Sequence, residues 1–362
     1  MFKPILVFLA FIVLVGPTTC RKQHVINFRW HNLYPESFIW DPKSEHFVVG
    51  SLRQKTLISV SDAGVTSSLL SDASLPFNSS FLGLALDRRH HRLLAVVHRP
   101  STQTTLAFNA LASYHLSTFH QLFLTPLPPT TLPSTTVAND VAVDFSGNAY
   151  VTDSANDVIY KINIEGQASI LSKSKAFKSH PVDSTAPYQN CGLNGVVYNS
   201  KGYLLVTQSN TGKLFKVDAD DGTARSVILN RDLKAADGIA VRSDGVVVVV
   251  SQYKLYFIKS DDSWSEGVVF DETALEDERQ ASAVVVVASA NDRVYVLYGH
   301  VNEGIMGNSE REEFSIVEVE SEKESKEENV WIFVLIGLGL AYFLFWRFQM
   351  SQLMQNMNKK TA

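Results

Sequence analysis

The chain has 362 residues, of which 45% are hydrophobic, and a formal net charge of -5. A length of this order holds two average domains or one large all-β domain, and the charge offers no basic face for neutralising phosphates, which argues against nucleic acid as a partner. The only cysteines are Cys20 and Cys191, so no disulfide framework can hold the fold and apolar burial must.

The N-terminus places Lys3 before an apolar run from Ile5 to Val15, followed by Gly16, Pro17 and small residues up to Cys20. Charged, apolar and small-residue zones in that order predict a secretory signal peptide over residues 1–20, and the apolar run is short for a bilayer span. A buried first strand or an uncleaved anchor is the alternative.

From residue 21 to 317 one phrase recurs: a short apolar strand, a turn, a second apolar strand, a polar turn, then a third strand. The copies begin near Phe38, Leu84, Val141, Val196, Ile239 and Val284, at spacings of roughly 43 to 57 residues. That period suits four-stranded blades, and Val, Ile, Tyr and Phe suit pleated sheet. The expectation is an all-β, six-bladed β-propeller, with the stretch from Val25 to Trp30 supplying a strand to the last blade and so closing the ring. Asn78, in Asn78-Ser79-Ser80, is a candidate glycosylation site for a lumenal domain. Two stretches exceed what blades need, Thr125 to Thr136 with its four prolines and Ser172 to Cys191, and loops of that length are often binding elements or lids.

Aligned on the residue that opens each first hairpin, the position five residues earlier lies where blades converge on the central channel. Its occupants are Glu36, Leu82, Asn139, Asn194, Asp237 and Ala283. Two carboxylates and two carboxamides around one axis offer four oxygens and two negative charges, a donor set for a hard cation with water or substrate completing the shell. Calcium suits such mixed, separated ligands better than magnesium, and zinc would want His or Cys. Asn-Asp, Asn-Gly and Asp-Gly are also ordinary turn dipeptides, so any one of these positions alone reads as turn chemistry; the repetition in phase favours the metal.

Beyond the propeller, residues 318–329 are mostly Glu with Ser and Lys, a solvated acidic stalk. Residues 330–348 are almost uninterruptedly apolar and predict a single transmembrane helix. Arg347, Lys359 and Lys360 follow the acidic flank, so the positive-inside tendency assigns residues 349–362 to the cytosol and the propeller to the lumen. Lys359 and Lys360, fourth and third from the end, resemble the dilysine retrieval signal of type I endoplasmic-reticulum membrane proteins; other endomembranes or the plasma membrane are the alternative.

Pro35-Glu36, Asn139-Asp140, Leu193-Asn194-Gly195 and Ala236-Asp237-Gly238-Ile239 together resemble the metal-ligand motifs of the senescence-marker-protein-30/gluconolactonase/luciferin-regenerating-enzyme-like family, over about Pro35 to Gly299. The resemblance implies that Glu36, Asn139, Asn194 and Asp237 coordinate one Ca2+ or another divalent cation, with Asp237 as general base or nucleophile. It implies hydrolysis of a small-molecule lactone or ester. The alternative is a noncatalytic propeller similar to NHL-repeat proteins, in which the metal is structural and a rim holds a protein partner; no protein partner is indicated by the sequence.

Overall fold

Period-two runs of Val, Leu, Tyr and Phe fold into six antiparallel sheets arranged as successive blades. The computed structural model describes residues 23–129, 136–182 and 184–360; residues 1–20, expected to be a signal peptide, lie outside them. Five blades are built from consecutive chain. Their inner strands are Phe38–Asp41, Ser80–Asp87, Ala138–Val143, Leu193–Asn199 and Ala236–Val241. The sixth blade begins at Ala281–Val287, and its outermost strand is Val25–Arg29, paired antiparallel with Glu313–Glu318 from Val25 opposite Val317 to Arg29 opposite Glu313. The N-terminal strand therefore closes the ring, as its sequence predicts. Blade 5 gains an extra edge, Ile228–Leu229, parallel to Glu266–Ala274.

The core is distributed between the blades. Phe28, Phe38, Phe47 and Tyr295 pack blade 6 on blade 1, Phe81 and Tyr114 lie between blades 1 and 2, and Val151 and Tyr160 lie with Leu94 and Leu111 between blades 2 and 3. Comparable clusters centre on Phe215, on Trp264 and on Phe257 in the remaining interfaces. Each buried Phe, Leu or Val contributes about 1.5–3 kcal/mol; the interfaces, each shared by two blades, hold the ring without a disulfide.

The two long connections differ from simple lids. Ser172 to Cys191 contains a 3-10 turn, Lys175–Lys178, whose Phe177 is buried edge-on against Phe215 at 5.2 Å and whose carbonyl accepts from Gln208 Nε2 at 2.8 Å. That segment is packed onto blade 4. In the other, strand pairing continues to Pro126 and Leu127 N–H donates to Asn109 O, while residues 130–135 lie outside the described residues.

The C-terminal segment is a single helix, Glu322–Lys360. Val334–Met357 within it is long and apolar enough to cross a membrane, with a mean hydropathy of 1.3, and Leu335, Tyr342 and Phe345 are exposed. This window starts a few residues later than the expected span. The acidic stretch is correspondingly shorter than expected at its start, because Glu318 is the buried last residue of a strand.

Candidate metal centre

Five of the inner strands break their ladder at one place. The register slips between Phe81 and Leu84, Ala138 and Val141, Leu193 and Val196, Ala236 and Ile239, and Ala281 and Ala283. Each slip is a β-bulge, which re-aims side chains that the two-residue alternation would send into the blade. In blades 2 to 5 the bulged residues are Leu82, Asn139, Asn194 and Asp237; Leu82 packs into the core between blades 2 and 3, and the other three line the central channel. Glu36 reaches the channel differently. It precedes the first inner strand in a turn where Asn32 and Tyr34 have φ of 52° and 46°, pinned by the Arg53 guanidinium 4.1 Å from the Tyr34 ring.

The bulge backbone is held by hydroxyls from the neighbouring second strands. Thr152 Oγ1 donates to Asn194 O and accepts from Asp140 N–H, and Thr207 Oγ1 donates to Asp237 O. Ser209 Oγ donates to Ala236 O and accepts from Asn194 Nδ2 at 3.0 Å. Val-Thr-Asp-Ser and Val-Thr-Gln-Ser, residues 151–154 and 206–209, thus each brace the next blade's bulge. Close approach of the bulges demands the absent side chains of Gly83 and Gly195: a Cβ would stand 2.5 Å from Asp140 Cα and 2.3 Å from Asp237 O, respectively.

Glu36, Asn139, Asn194 and Asp237 line one cavity of roughly 400 Å3 on the axis, so the four residues singled out from the sequence are brought together. Two residues that sequence reasoning did not assign join them. Asp140 occupies the position after Asn139, where the other blades carry Ser37, Gly83, Gly195, Gly238 and Ala283; the one large, charged occupant of an otherwise small position was the available signal. Ser282 takes the axial place in blade 6, one residue before the expected Ala283, because a 3-10 turn at Ala288–Ala290 lengthens that blade's first hairpin. Ser282 and Ala283 both line the cavity.

The cavity is therefore ringed at one end by three carboxyl groups and two carboxamides, and its described lining has no Lys, Arg or His. Glu36, Asp140 and Asp237 keep some accessible area where they face the cavity, but they lie deep in the molecule. Burial, then the charges of Asp237 and Asp140, hold the Glu36 carboxyl well above the usual range. Burial and the Asp140 charge push Asp237 up to about 7, with a hydrogen bond from Asn194 acting the other way. Burial raises Asp140 to about 6, although Val196 and Val141 N–H donate to its carboxylate at 2.9 and 2.8 Å. Nearby Cys191, against Asn194, is pushed up to about 11, first by burial.

The donor set fits a hard cation. Asn139 Oδ1 is buried with no hydrogen-bond partner among the described residues, a costly state for an amide oxygen, and the three carboxyls lack a basic counterpart in the described lining. Among the described residues no three His, Cys, Asp or Glu side chains converge tightly enough to hold an ion by themselves. Such an ion would take the carboxamide oxygens and water into its shell, as calcium tolerates. Asn78, the glycosylation candidate, is exposed on the loop between blades 1 and 2 with φ of 60°. Lys359 and Lys360 end the C-terminal helix.

No family model matches the chain, and no curated protein matches it in sequence. Solved structures do match in fold. The Malassezia sympodialis allergen Mala s 1 superposes with a TM-score of 0.68 at 16% identity, covering 82% of this chain and 96% of its own. A Xanthomonas campestris gluconolactonase superposes at 0.53 with 14% identity, covering 83% and 90%. A luciferin-regenerating enzyme superposes at 0.53 with 12% identity, covering 82% and 95%. At these identities the likeness establishes the six-bladed propeller and no more.

Proposed function

We propose that the protein is a divalent-metal-dependent hydrolase of small lactones or esters, with calcium as the ion, anchored by one membrane span. The observation that carries this reading is the ring of Glu36, Asp140 and Asp237 with Asn139 and Asn194 at the end of a cavity whose described lining has no basic residue. Glu36, Asn139, Asn194 and Asp237 would hold the ion, and the unpartnered Asn139 Oδ1 is the clearest vacant donor. When bound, calcium would supply Lewis-acid polarisation of a carbonyl or phosphoryl oxygen.

The chain's own groups divide the remaining work. Asp237, on the bulge of blade 5, is the general base that takes a proton from water, or attacks directly. Asn194 is oriented through its Nδ2 bonds to Ser209 and Cys191, which turn its Oδ1 away from them. Asp140 is a positioning residue, since its carboxylate is engaged by the Val141 and Val196 amides and ties blade 3 to blade 4. The gluconolactonase and luciferin-regenerating enzyme folds are compatible with this chemistry.

We place the propeller in the endoplasmic-reticulum lumen, behind a cleaved signal peptide over residues 1–20. The C-terminal helix would be its type I anchor, Lys359 and Lys360 the retrieval signal, and Asn78 a glycan acceptor. The Asp140 clamp favours one second reading, a noncatalytic propeller whose ion stiffens the centre. Turnover of an aryl ester and lactone panel by the full-length protein, with and without chelator, separates them. Chelator-sensitive turnover lost in Asp237→Ala is expected; chelator-sensitive melting without turnover would support the scaffold, and no calcium uptake by calorimetry would remove both.

A further inference from the structure

Strand direction fixes the face of the propeller on which its chain begins and ends. In blades 1 to 5 both hairpins of a blade lie at one end of its strands, and in blade 6 that end holds Val25, paired with Val317, and Glu318. Both ends of the propeller therefore open on the hairpin face, and the residues after Val319 lead to the apolar window that starts at Val334. Charge on this face is uneven. The hairpins of blades 1, 3, 4 and 5 carry exposed carboxylates, among them Glu45, Glu165, Asp220 and Asp261. Those of blade 2, residues 87–92 and 115–121, expose Arg88, Arg89, His91 and His120, and their one carboxylate, Asp87, is buried against Arg92 at 2.6 Å. Arg89 donates to Phe145 O, a neutral acceptor, at 3.1 Å, and its guanidinium stands 5.3 Å from the Phe145 ring. Phe145 is 56% exposed in the first hairpin of blade 3, and Leu122, two residues past His120, is 48% exposed.

We propose that the seam of blades 2 and 3 on the hairpin face is a docking surface for anionic phospholipid headgroups of the bilayer that holds the protein's own anchor. The inference rests on the membrane span of the reading above and not on its hydrolase chemistry. Residues 320–333 reach only about 20 Å as helix, which keeps the hairpin face near that bilayer. Arg88 and Arg89, with no exposed carboxylate in their own blade's hairpins, attract an anionic surface, each contributing roughly fivefold in affinity. Phe145 and Leu122 supply apolar area at the depth where aromatic rings favour the interface. Held together, Arg89 and Phe145 offer charge and ring as one unit. Tethering lets so small a patch suffice, because an anchored domain meets its bilayer at high effective concentration. Blade 3 stands across the ring from blade 6, where the chain leaves. Two well-separated attachments then fix an orientation that one tether would leave free to swivel. The acidic ring, at the other end of the inner strands, opens away from the bilayer.

The test uses the full-length protein reconstituted into nanodiscs of phosphatidylcholine, with or without added phosphatidylserine, each doped with a phospholipid bearing a photoreactive diazirine in its headgroup. In the serine-lipid discs, labelling is expected on peptides covering residues 87–92, 115–121 or 144–148. Arg88→Gln combined with Arg89→Gln should lower it roughly twenty-fivefold, fivefold for each arginine, and Phe145→Ser should lower it several-fold. Both comparisons use protein that melts as the parent does, and two independent variants keep the test open if one fails to fold. Lys175→Gln with Lys178→Gln, the same charge change on the loop-face turn Lys175–Lys178, should leave labelling as it is. Equal labelling in the two kinds of disc, labelling that survives both folded hairpin variants, or labelling confined to residues 320–362 would overturn the proposal. Displacement by inorganic phosphate at constant ionic strength would also overturn it, by marking a site for a free anion. A chain that never enters the discs would remove the anchor and the docking surface together; a chain that enters without hairpin labelling would remove the docking surface alone.

Discussion

Calcium should change how the stability of this protein depends on pH, and the sign follows from the ring. Asp140 and Asp237 titrate near 6 and 7 in the folded chain and Glu36 is raised as well, whereas in the unfolded chain all three sit near 4. Between about pH 4 and 7 the metal-free folded state thus binds more protons than the unfolded state, and its stability falls as pH rises through that window. The three groups titrate as one coupled set, and the loss is on the order of a few kcal/mol. A cation at the ring removes the repulsion. At a hundredfold excess over its dissociation constant it adds about 2.7 kcal/mol, which for a propeller spanning Gln23–Val319 is roughly a 4 °C rise in melting temperature. Differential scanning fluorimetry of the full-length protein in EDTA or calcium, at pH 5 and 7.5, reads this directly. The chelated protein should melt lower at pH 7.5, and calcium should restore it there while doing little at pH 5, where it must displace protons. A chelated melting temperature that is flat or rises toward pH 7.5, together with no calcium effect, would refute the reasoning.

Substitutions in the ring should separate charge from scaffolding. Asp237→Asn should raise the melting temperature of the chelated protein at pH 7.5 and abolish the calcium shift, because it removes repulsion and a ligand together. Asp140→Ala should destabilise by about 2–4 kcal/mol with or without calcium in a denaturant titration, since it unpairs the Val141 and Val196 amides; a neutral result would show those bonds to be dispensable. Gly83→Ala places a Cβ 2.5 Å from Asp140 Cα and should cost about 1–3 kcal/mol, with weaker calcium binding by calorimetry. The helix Glu322–Lys360 should keep the protein in the alkaline-resistant membrane fraction, and deletion of residues 320–362 should release it; extraction of the full chain at high pH would argue against a span.

How much was legible in the sequence follows from the kind of signal each feature carries. Blade count, ring closure by the strand around Val25 and convergence of Glu36, Asn139, Asn194 and Asp237 depend on periodicity and phase, which survive in a linear string because every blade repeats the same local geometry. The apolar helix near the C-terminus was legible for the same reason, since composition over about twenty residues sets it. Asp140 and Ser282 were not, because their roles come from bulges and from one lengthened hairpin that shifts the register by a residue. Packing of Phe177 onto blade 4 and the Thr152, Thr207 and Ser209 braces likewise arise only between segments tens of residues apart. Local chain chemistry determined the repeat and its candidate donors; the closed ring alone decided which side chains share a channel and how strongly their charges meet.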